Sequence, residues 1–482
     1  MQLRQTLTAI AMALSLTGCT FLNTEYTAPT TELPSRFSEG GVNPILDNAN
    51  TDWWTAFNDA TLNSLVDRGL IGNLDIQIAG ERLNGAIAVA RGSGVPFSGG
   101  LVGASAGIEG STDGPEVGFS TAPFTISYLL DFFGELREDR KFAARNLQAA
   151  GFDVQDTRLI FLSALATAYA EARFFQESIR LTRLNLDSRE RTLELTRALL
   201  DAAAATRLDV IQAEGLVNEE LADLPGLEAD FRVAAHRVSV LLGLPATALV
   251  PELSRGGPQP IPARSYETGV PADLLRNRPD IRAAERDLAA AVASTGVARA
   301  ELYPSISLSG FITPQTIGSN GLVPWSFGPV VSFPIFGRET IRAGVDGAEA
   351  AAREALLIWK STVLTATEEV ENALVAGRRN LRTIAALQRS VEIFEENVEI
   401  ANISYEEGRA SLLGILEAER ELADAREALA AVNFEYAVNF ILLNVAIGSG
   451  RGASGVAGVT PELIELPFEE GEGTGFKPLR GL

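Results

Sequence analysis

The chain has 482 residues, of which 46% are hydrophobic, so it is long enough for two or three domains with sizeable cores. Its formal net charge of −22 argues against a nucleic-acid partner, which would require a basic face. A single histidine, His236, and a single cysteine, Cys19, rule out a multi-histidine metal site and an internal disulfide. We therefore expect no metal cofactor and no enzymatic activity.

The first residues have the features of a secretory leader. Arg4 precedes an apolar stretch over Leu7–Leu16, which is too short to span a bilayer. It ends in Leu16-Thr-Gly-Cys19, which resembles the bacterial lipobox. We predict a lipoprotein signal peptide over residues 1–18, with a diacylglycerol and an N-acyl chain on Cys19. The alternative is an ordinary signal peptide followed by an incidental cysteine.

The residue after the predicted lipid site bears on the destination of the protein. Thr20 stands there instead of aspartate, which by resemblance to other lipoproteins favours transfer to the outer membrane. Residues 19–60 are predicted to form an anchored, extended tether and the start of the folded part. No apolar run of eighteen or more residues follows, so we predict no transmembrane helix. Any membrane-spanning part must then be a closed β-barrel.

The chain contains an internal repeat, in which a unit is duplicated at an offset of about 205 residues. Apolar residues spaced by seven in the first half recur at that offset in the second half. The first set is Val210, Val217, Leu224, Phe231 and Val238, and the second is Ile415, Leu422, Leu429, Tyr436 and Leu443. We predict repeat 1 over residues 61–245, a connector over 246–270, repeat 2 over 271–448 and a flexible tail over 449–482.

Each repeat contains a long proline-free segment, residues 135–200 and residues 340–405. Uninterrupted helices of this length would extend about 100 Å, so they must project from any globular part. Apolar residues alternate three and four apart in Ile384, Leu387, Val391, Phe394 and Val398, which is the seam of a coiled coil. We therefore predict that each long helix turns back on its successor, at residues 201–206 and 406–411.

Two β-strands are predicted before each long helix, within residues 98–131 and 303–336. Apolar residues alternate there with serine, threonine and glycine, as expected for a barrel with a wet lumen. The alternative is a pair of soluble hairpins. Since the smallest barrels have about eight strands, four strands per chain cannot close one. The barrel must be shared between chains.

The sequence resembles the outer-membrane factor family of TolC-like channels, in its NodT-like lipoprotein branch. The resemblance runs from Trp53-Trp54 to Gly448, and the segments that carry it most specifically are Leu208–Glu214, Leu274–Glu285, Tyr303–Leu308 and Ser332–Gly337. It implies a mainly α-helical fold with a β-barrel part. Three chains would form a homotrimer, with a twelve-stranded barrel in the outer membrane of a Gram-negative bacterium and an α-helical tunnel in the periplasm.

The resemblance also implies a function and its partners. Such channels dock with a periplasmic adaptor and an inner-membrane pump and export drugs or other small toxic molecules. The nearest rival within the channel class is the duct of a type I protein secretion system. From a different class, the alternative is a lipid-anchored periplasmic scaffold without a pore, which would not need the amphipathic strands.

The functional residues implied by the resemblance lie at the helix turns. Asp209 and Glu417 would line the narrow end of the tunnel, and Tyr405 would help to hold it closed by a hydrogen bond to Asp209. Gly414 and Ala410 depart from the family pattern of a second aspartate and a gate arginine. For Asp209 the alternative is a solvated carboxylate at a helix start. The predicted adaptor-docking tips are Thr206, Arg207, Leu208, Gly408, Arg409, Ala410 and Ser411.

Two proline motifs are predicted to have structural roles. Pro225-Gly226 is predicted to interrupt the return helix of repeat 1, which would match a kink that the resembled family has near its equatorial belt. Arg278-Pro279-Asp280 is predicted to start a helix, with proline in the first turn and aspartate at the positive end of the helix dipole.

Overall fold

The computed structural model describes residues 26–40, 51–109, 116–263, 269–407 and 409–452. The predicted signal peptide, Cys19, the tip residue Gly408 and most of the predicted tail lie outside the described residues. A short 3-10 helix, Trp53–Phe57, precedes the helices α1 Ala60–Gly72, α2 Leu74–Gly92, α3 Glu135–Asp201, α4 Arg207–Leu241, α5 Val250–Leu253, α6 Pro271–Asn277, α7 Pro279–Ala300, α8 Arg338–Glu406 and α9 Leu412–Ala446. The strands are β1 Phe97–Leu101, β2 Ser105–Glu109, β3 Val117–Thr121, β4 Phe124–Leu130, β5 Ser305–Ile312, β6 Gln315–Ile317, β7 Asn320–Leu322 and β8 Trp325–Ser332.

The long helices α3 and α8 have 67 and 69 residues, and each would extend about 100 Å. Their ends lie within two residues of the predicted ones. Each begins directly after a glycine with positive φ, Gly134 or Gly337. Asp131 accepts hydrogen bonds from two backbone N–H groups in the first turn of α3, at 3.2 and 3.0 Å. The fold-class prediction of a duplicated, mainly α-helical chain with a β part is confirmed.

One prediction about the return helices was wrong. Helix α4 continues without a break over Arg207–Leu241, with Pro225 inside it. Proline removes one helical hydrogen bond, to the carbonyl of Leu221, and this residue is 47% exposed, so water can reach it. Leu224 and Leu227 on either side of the proline pack against the largest hydrophobic core, which holds the helix together across the missing bond.

The helices form two antiparallel pairs, α3 with α4 and α8 with α9. The pairs meet where α3 packs on α9, while α7 bridges α3 and α8. Among the described residues one helix, α9, is long and apolar enough by composition to cross a membrane, which the sequence prediction did not anticipate. Since α9 packs against both α8 and α3, we assign it to the helix bundle rather than to a bilayer.

The return helices of the two repeats end in the same way. Gly243 follows α4 and Gly448 follows α9, and their φ values are 71° and 74°. A Cβ atom at Gly243 would lie 2.5 Å from the carbonyl oxygen of Gly72, and one at Gly448 would lie 2.3 Å from that of Asn277. Both glycines therefore combine a left-handed backbone with close contact to the end of the preceding short helix.

The Arg278-Pro279-Asp280 motif connects three parts of repeat 2. The Arg278 guanidinium donates to the carbonyl oxygen of Ala446 at the end of α9, at 3.0 Å. It also forms ion pairs with Asp280 at 2.6 Å and with Glu369 on α8 at 2.5 Å. Pro279 is the first residue of α7, as predicted, so the motif has a structural role.

The eight strands of the described ranges form four lines, each broken once at the same level. The two segments of each line are β1 and β2, β4 and β3, β5 and β6, and β8 and β7. The two strands predicted in each repeat are therefore present, although each is divided into two segments. Prolines 123, 314 and 324 lie at the breaks, and their carbonyls accept hydrogen bonds from Val102, Ala122 and Thr313 at 2.8, 3.0 and 2.9 Å. Two four-stranded antiparallel sheets, β1-β4-β5-β8 and β2-β3-β6-β7, therefore lie end to end. The hydrogen bonds at the breaks join them into one continuous surface, with β1 and β2 along one edge and β7 and β8 along the other.

The two faces of this sheet differ. Paired residues lie on the same face, so the register identifies rows across the strands. One face carries the rows Leu101, Phe124, Ile312, Trp325 and Phe97, Tyr128, Leu308, Pro329. The opposite face carries Ser98, Ser127, Ser309 and Gly328, and the Oγ atoms of Ser127 and Ser309 are 3.0 Å apart. The sheet is amphipathic, with exposed Trp325 at 73% on its apolar face.

The described part of the predicted tether, residues 26–40, is extended and lies on repeat 2. The Tyr26 hydroxyl donates to Glu285 of α7 at 2.5 Å. Phe37 is fully buried in a core with Trp359 and Val363 of α8. Ser38 donates its backbone N–H to Glu371, also on α8, at 2.8 Å. This segment is therefore attached to the helix bundle along its length.

We predict that Gly243→Ala and Gly448→Ala each lower the free energy of unfolding by at least about 1–2 kcal/mol, the cost of a left-handed backbone for a residue with a Cβ atom. Thermal denaturation in detergent measures the change. Gly85→Ala is the control, because Gly85 is an exposed residue inside α2 with open space around its Cα. It should stabilise the protein by about 0.5–1 kcal/mol. Equal melting temperatures for all three variants would contradict this explanation of the helix ends.

Candidate functional site: the helix turns and the groove above them

Both helix turns lie at the end of the bundle away from the strands. The first separates α3 from α4 and the second separates α8 from α9. Their proximity is shown by a small apolar cluster in which Leu195 and Leu199 of α3 pack against Tyr405, Leu412 and Ile415. The predicted tip residues Thr206, Arg207, Leu208, Arg409 and Ser411 are exposed, and Ala410 is partly buried.

The first turn is closed by Thr206 and Asp209. Asp209 accepts hydrogen bonds from the Thr206 backbone N–H at 2.8 Å and from its hydroxyl at 2.7 Å, while the Asp209 N–H donates to that hydroxyl. This reciprocal arrangement is a capping box, which satisfies backbone groups at the start of α4. The hydrogen bonds from the backbone and side chain of Thr206 lower the pKa of Asp209, so its carboxylate stays ionised.

The second turn lacks this arrangement. Ser411 precedes α9 without a side-chain cap, and the repeat offset places Gly414 where repeat 1 has Asp209. Glu417 corresponds to Gln212 of repeat 1 rather than to Asp209. Arg409 forms an ion pair with the neighbouring Glu407, within the turn itself. The two turns are therefore not equivalent, although the helices around them are.

The predicted hydrogen bond between Tyr405 and Asp209 is not formed within the chain. Tyr405 is 8% exposed, and its ring lies in the apolar cluster with Leu412 and Ile415. Asp209 instead uses its carboxylate on Thr206, three residues away, which is a closer partner. Tyr405 nevertheless lies where the two helix pairs meet. The structure supports a packing role for its ring at that junction, and its assignment to the gate remains a prediction.

Above the turns, a groove of about 980 Å³ runs between the return helices α4 and α9, with α3 beside it. Seven carboxylates and two arginines line it. They are Glu219, Glu220, Asp223, Asp230, Glu417, Asp424, Glu427, Arg189 and Arg420. The groove is therefore acidic and attracts cationic groups.

One ion pair in this groove is largely buried. Arg189 of α3 lies 3.1 Å from Glu220 and 3.5 Å from Glu219, and it donates to the Leu216 carbonyl at 3.0 Å. Burial raises the pKa of Glu220, and the positive charge of Arg189 opposes that effect. Sequence reasoning found only Glu417 among the groove carboxylates. The three- and four-residue spacing of the acidic residues on α4 and α9 was the signal available for the others.

The duplicated chain has two helices of about 100 Å, each paired with a shorter return helix, at one end and an amphipathic sheet with two open edges at the other. This is the architecture of an outer-membrane channel subunit. Comparisons with known proteins agree. The outer membrane efflux protein family model matches residues 87–244 and 270–449, and the chain belongs to this family.

Individual relatives and structures cover nearly the whole chain. Nodulation protein T of Rhizobium leguminosarum bv. trifolii is 43% identical over 460 residues, 93% of this chain and 98% of that protein. The pyoverdine export outer membrane protein OpmQ of Pseudomonas aeruginosa is 30% identical, over 83% of this chain and 87% of that protein. The structure of the outer-membrane channel OprN aligns with a TM-score of 0.80 at 31% identity, covering 89% of this chain and 98% of that one. The outer-membrane location and the channel class are thereby confirmed.

The packing of Tyr405 generates the first prediction for the site. Tyr405→Phe should leave single-channel conductance in a planar bilayer unchanged, because the ring and its contacts remain. Tyr405→Ala should raise conductance and lower the free energy of unfolding by about 3–5 kcal/mol, because it leaves a cavity where the helix pairs meet. A rise in conductance with Tyr405→Phe would instead show that the hydroxyl holds the tunnel closed, through a contact between chains.

The second prediction for the site concerns the carboxylates near the turns. Replacing both Asp209 and Glu417 by alanine should lower cation selectivity, measured as the reversal potential in a salt gradient, because negative charge near the tunnel end is removed. Since the pKa of Asp209 is lowered, the Glu417→Ala single variant should keep part of its selectivity as the pH falls through the ordinary titration range of aspartate. Selectivity equal to wild type in the double variant would mean that Asp209 serves only as a helix cap.

Proposed function

We propose that three copies of this chain form the outer-membrane channel of a tripartite efflux system. The channel would passively conduct small toxic molecules or drugs that an inner-membrane pump and a periplasmic adaptor deliver. The observation that carries the proposal is the sheet, which is amphipathic and open at both edges.

The open edges require other chains. A backbone N–H or C=O group without a partner in the hydrocarbon of a bilayer costs several kcal/mol, so spanning sheets close on themselves. In the described residues β1 and β2 have neighbours on one side only, and so do β7 and β8. Four strand lines are too few for a closed barrel. Three copies would supply twelve, with the edge of β1 and β2 of one copy beside β7 and β8 of the next.

The lengths of the elements suit a barrel on top of a helical tunnel. The aromatic residues Phe132, Phe333 and Phe336 are exposed and lie within four residues of Gly134 or Gly337, the glycines that precede α3 and α8. Aromatic side chains are enriched at membrane–water interfaces, so this level would be the periplasmic boundary of the membrane. The long helices would then project about 100 Å into the periplasm.

We also propose that Cys19 carries the lipid. Tyr26, which is bound to Glu285, provides the support. Glu285 lies fifteen residues before the end of α7, which is about 22 Å along the helix from the level of the strands. The seven residues from Cys19 to Tyr26 can span up to about 25 Å. An acyl chain on Cys19 could therefore reach the membrane while Tyr26 remains in place.

The helix turns are the surface proposed for the adaptor. They end the bundle furthest from the strands, and the acidic groove above them suits a partner with basic side chains. The relatives are named for nodulation and for pyoverdine export, which are different roles on one architecture. We infer that the pump selects the cargo and that this chain supplies the conduit. It is proposed to have no catalytic role of its own.

The oligomer tests the proposal directly. Detergent-solubilised protein should have three times the mass of one chain in native mass spectrometry, and the mature chain should start at an acylated cysteine. Cys19→Ser should remove the acyl mass and leave the trimer intact, because the barrel has its own contact with lipid. A stable monomer that keeps its full β content would contradict the shared barrel, and an unmodified mature N-terminus elsewhere in the chain would contradict the anchor.

A further inference from the structure

A buried carboxylate lies between the two helix pairs. Near the turns the contact between α3 and α9 is apolar, formed by Leu195 and Leu199 against Leu412 and Ile415. One turn further along α9 the contact changes character at Glu419, which is 8% exposed. Its Oε1 atom accepts hydrogen bonds from the hydroxyls of Ser188 and Thr192 on α3, each at 2.8 Å.

The geometry of this contact is specific to the junction. Ser188 and Thr192 are four residues apart on α3, so their hydroxyls lie on one face of the helix, one turn apart. Both point to the same carboxylate oxygen. The contact joins repeat 1 to repeat 2, whereas Arg197 with Glu214 and Arg426 with Glu395 each join two helices of the same pair.

The other oxygen of Glu419 indicates that this carboxylate is not there only to stabilise the contact between the helices. The Oε2 atom is buried and has no hydrogen-bond partner in the described structure. Burying a carboxylate with incomplete hydrogen bonding is costly, and apolar residues of similar size in such places are often more stabilising. A leucine at this position would continue the apolar contact made by Leu412 and Ile415.

The same carboxylate makes separation of the two helices less costly. When α3 and α9 part, water can hydrate both oxygens of Glu419 and the two hydroxyls, whereas separated leucines would expose only apolar surface. Together, the hydrogen bonds define the alignment of the joined state and the charge favours the hydrated, separated state. A contact with these two properties can form and break repeatedly.

We propose that Glu419, Ser188 and Thr192 form a releasable polar lock, which allows the two helix pairs to separate and rejoin as the tunnel end opens and closes. The inference rests on the proposed channel function. It adds Glu419 and its two hydroxyl partners, as positioning residues, to the residues predicted at the turns.

Three variants of the full-length protein, with single-channel conductance and melting temperature as readouts, test the lock. Ser188→Ala with Thr192→Val removes both donors and leaves the carboxylate buried, so the melting temperature should fall and the open fraction should rise about tenfold. Adding Glu419→Leu to that pair makes the contact apolar. The melting temperature should then exceed that of the wild type, and the open fraction should fall below it. Glu419→Gln keeps an acceptor oxygen for both hydroxyls but removes the charge, so the alignment of the joined state should be kept while the open fraction falls below that of the wild type.

A matched control is available on the same helix. Arg426 lies one heptad after Glu419, but its partner is Glu395 of α8, within the same helix pair. Arg426→Leu should leave the open fraction unchanged. If the wild-type protein forms a channel but the donor-deleted and apolar variants have the same open fraction as each other, the lock is overturned and the proposed channel function is not. If the apolar variant instead lost stability and opened more, Glu419 would be an ordinary structural contact. A wild-type protein that forms no channel would overturn the proposed function and the lock with it.

Discussion

Along their outer sides, the backbone groups of the edge strands have no hydrogen-bond partners within the described part of one chain, and this constraint determines how the protein must assemble. Within one chain the sheet ends at β1 and β2 on one side and at β7 and β8 on the other. In water such edges can be hydrated, but in a bilayer they must pair with another strand. The apolar rows on one face of the sheet place it in lipid. The chain therefore depends on identical neighbours, and assembly is part of the proposed fold.

The duplication serves this same requirement. Each repeat supplies two strand lines and a pair of antiparallel helices, so one chain contributes two similar sectors of a ring. The two repeats are alike at Gly243 and Gly448, which pack against the ends of equivalent short helices. They differ at the turns, where repeat 1 has a capping box and repeat 2 has Gly414 in place of the capping carboxylate. The turns lie at the end of the bundle that is proposed to move and to meet a partner.

The sequence was sufficient for the large features of the fold. Helices α3 and α8 were predicted to within two residues at each end, because long stretches without proline and a regular apolar spacing leave few alternatives. The breaks in the strands and the continuity of α4 through Pro225 were not predicted, since the effect of a proline depends on what packs around it. The breaks are tolerated because the neighbouring strand line uses the proline carbonyls as acceptors.

The candidate site was less accessible to sequence reasoning. Asp209 was identified, but its closest partner is Thr206, and the Thr-x-x-Asp spacing that forms the capping box was visible in the sequence. Tyr405 was placed correctly beside the turn, yet its ring packs in an apolar cluster instead of bonding to Asp209. Glu419 and its hydroxyl partners are more than 220 residues apart in the chain, and no local pattern connects them. Only the packing of the two repeats brings them together.

Cross-linking of the open edges tests the shared barrel most directly. In a Cys19→Ser background, Ser98→Cys on β1 would be combined in turn with Ser326→Cys and with Ser332→Cys on β8, all on the serine-bearing face. Oxidation of the membrane-embedded protein should give a covalent species of three chains for one of these combinations, and none larger. Either cysteine alone should give no such species. Cross-links confined to single chains, or a ladder continuing beyond three, would contradict a barrel closed by three copies.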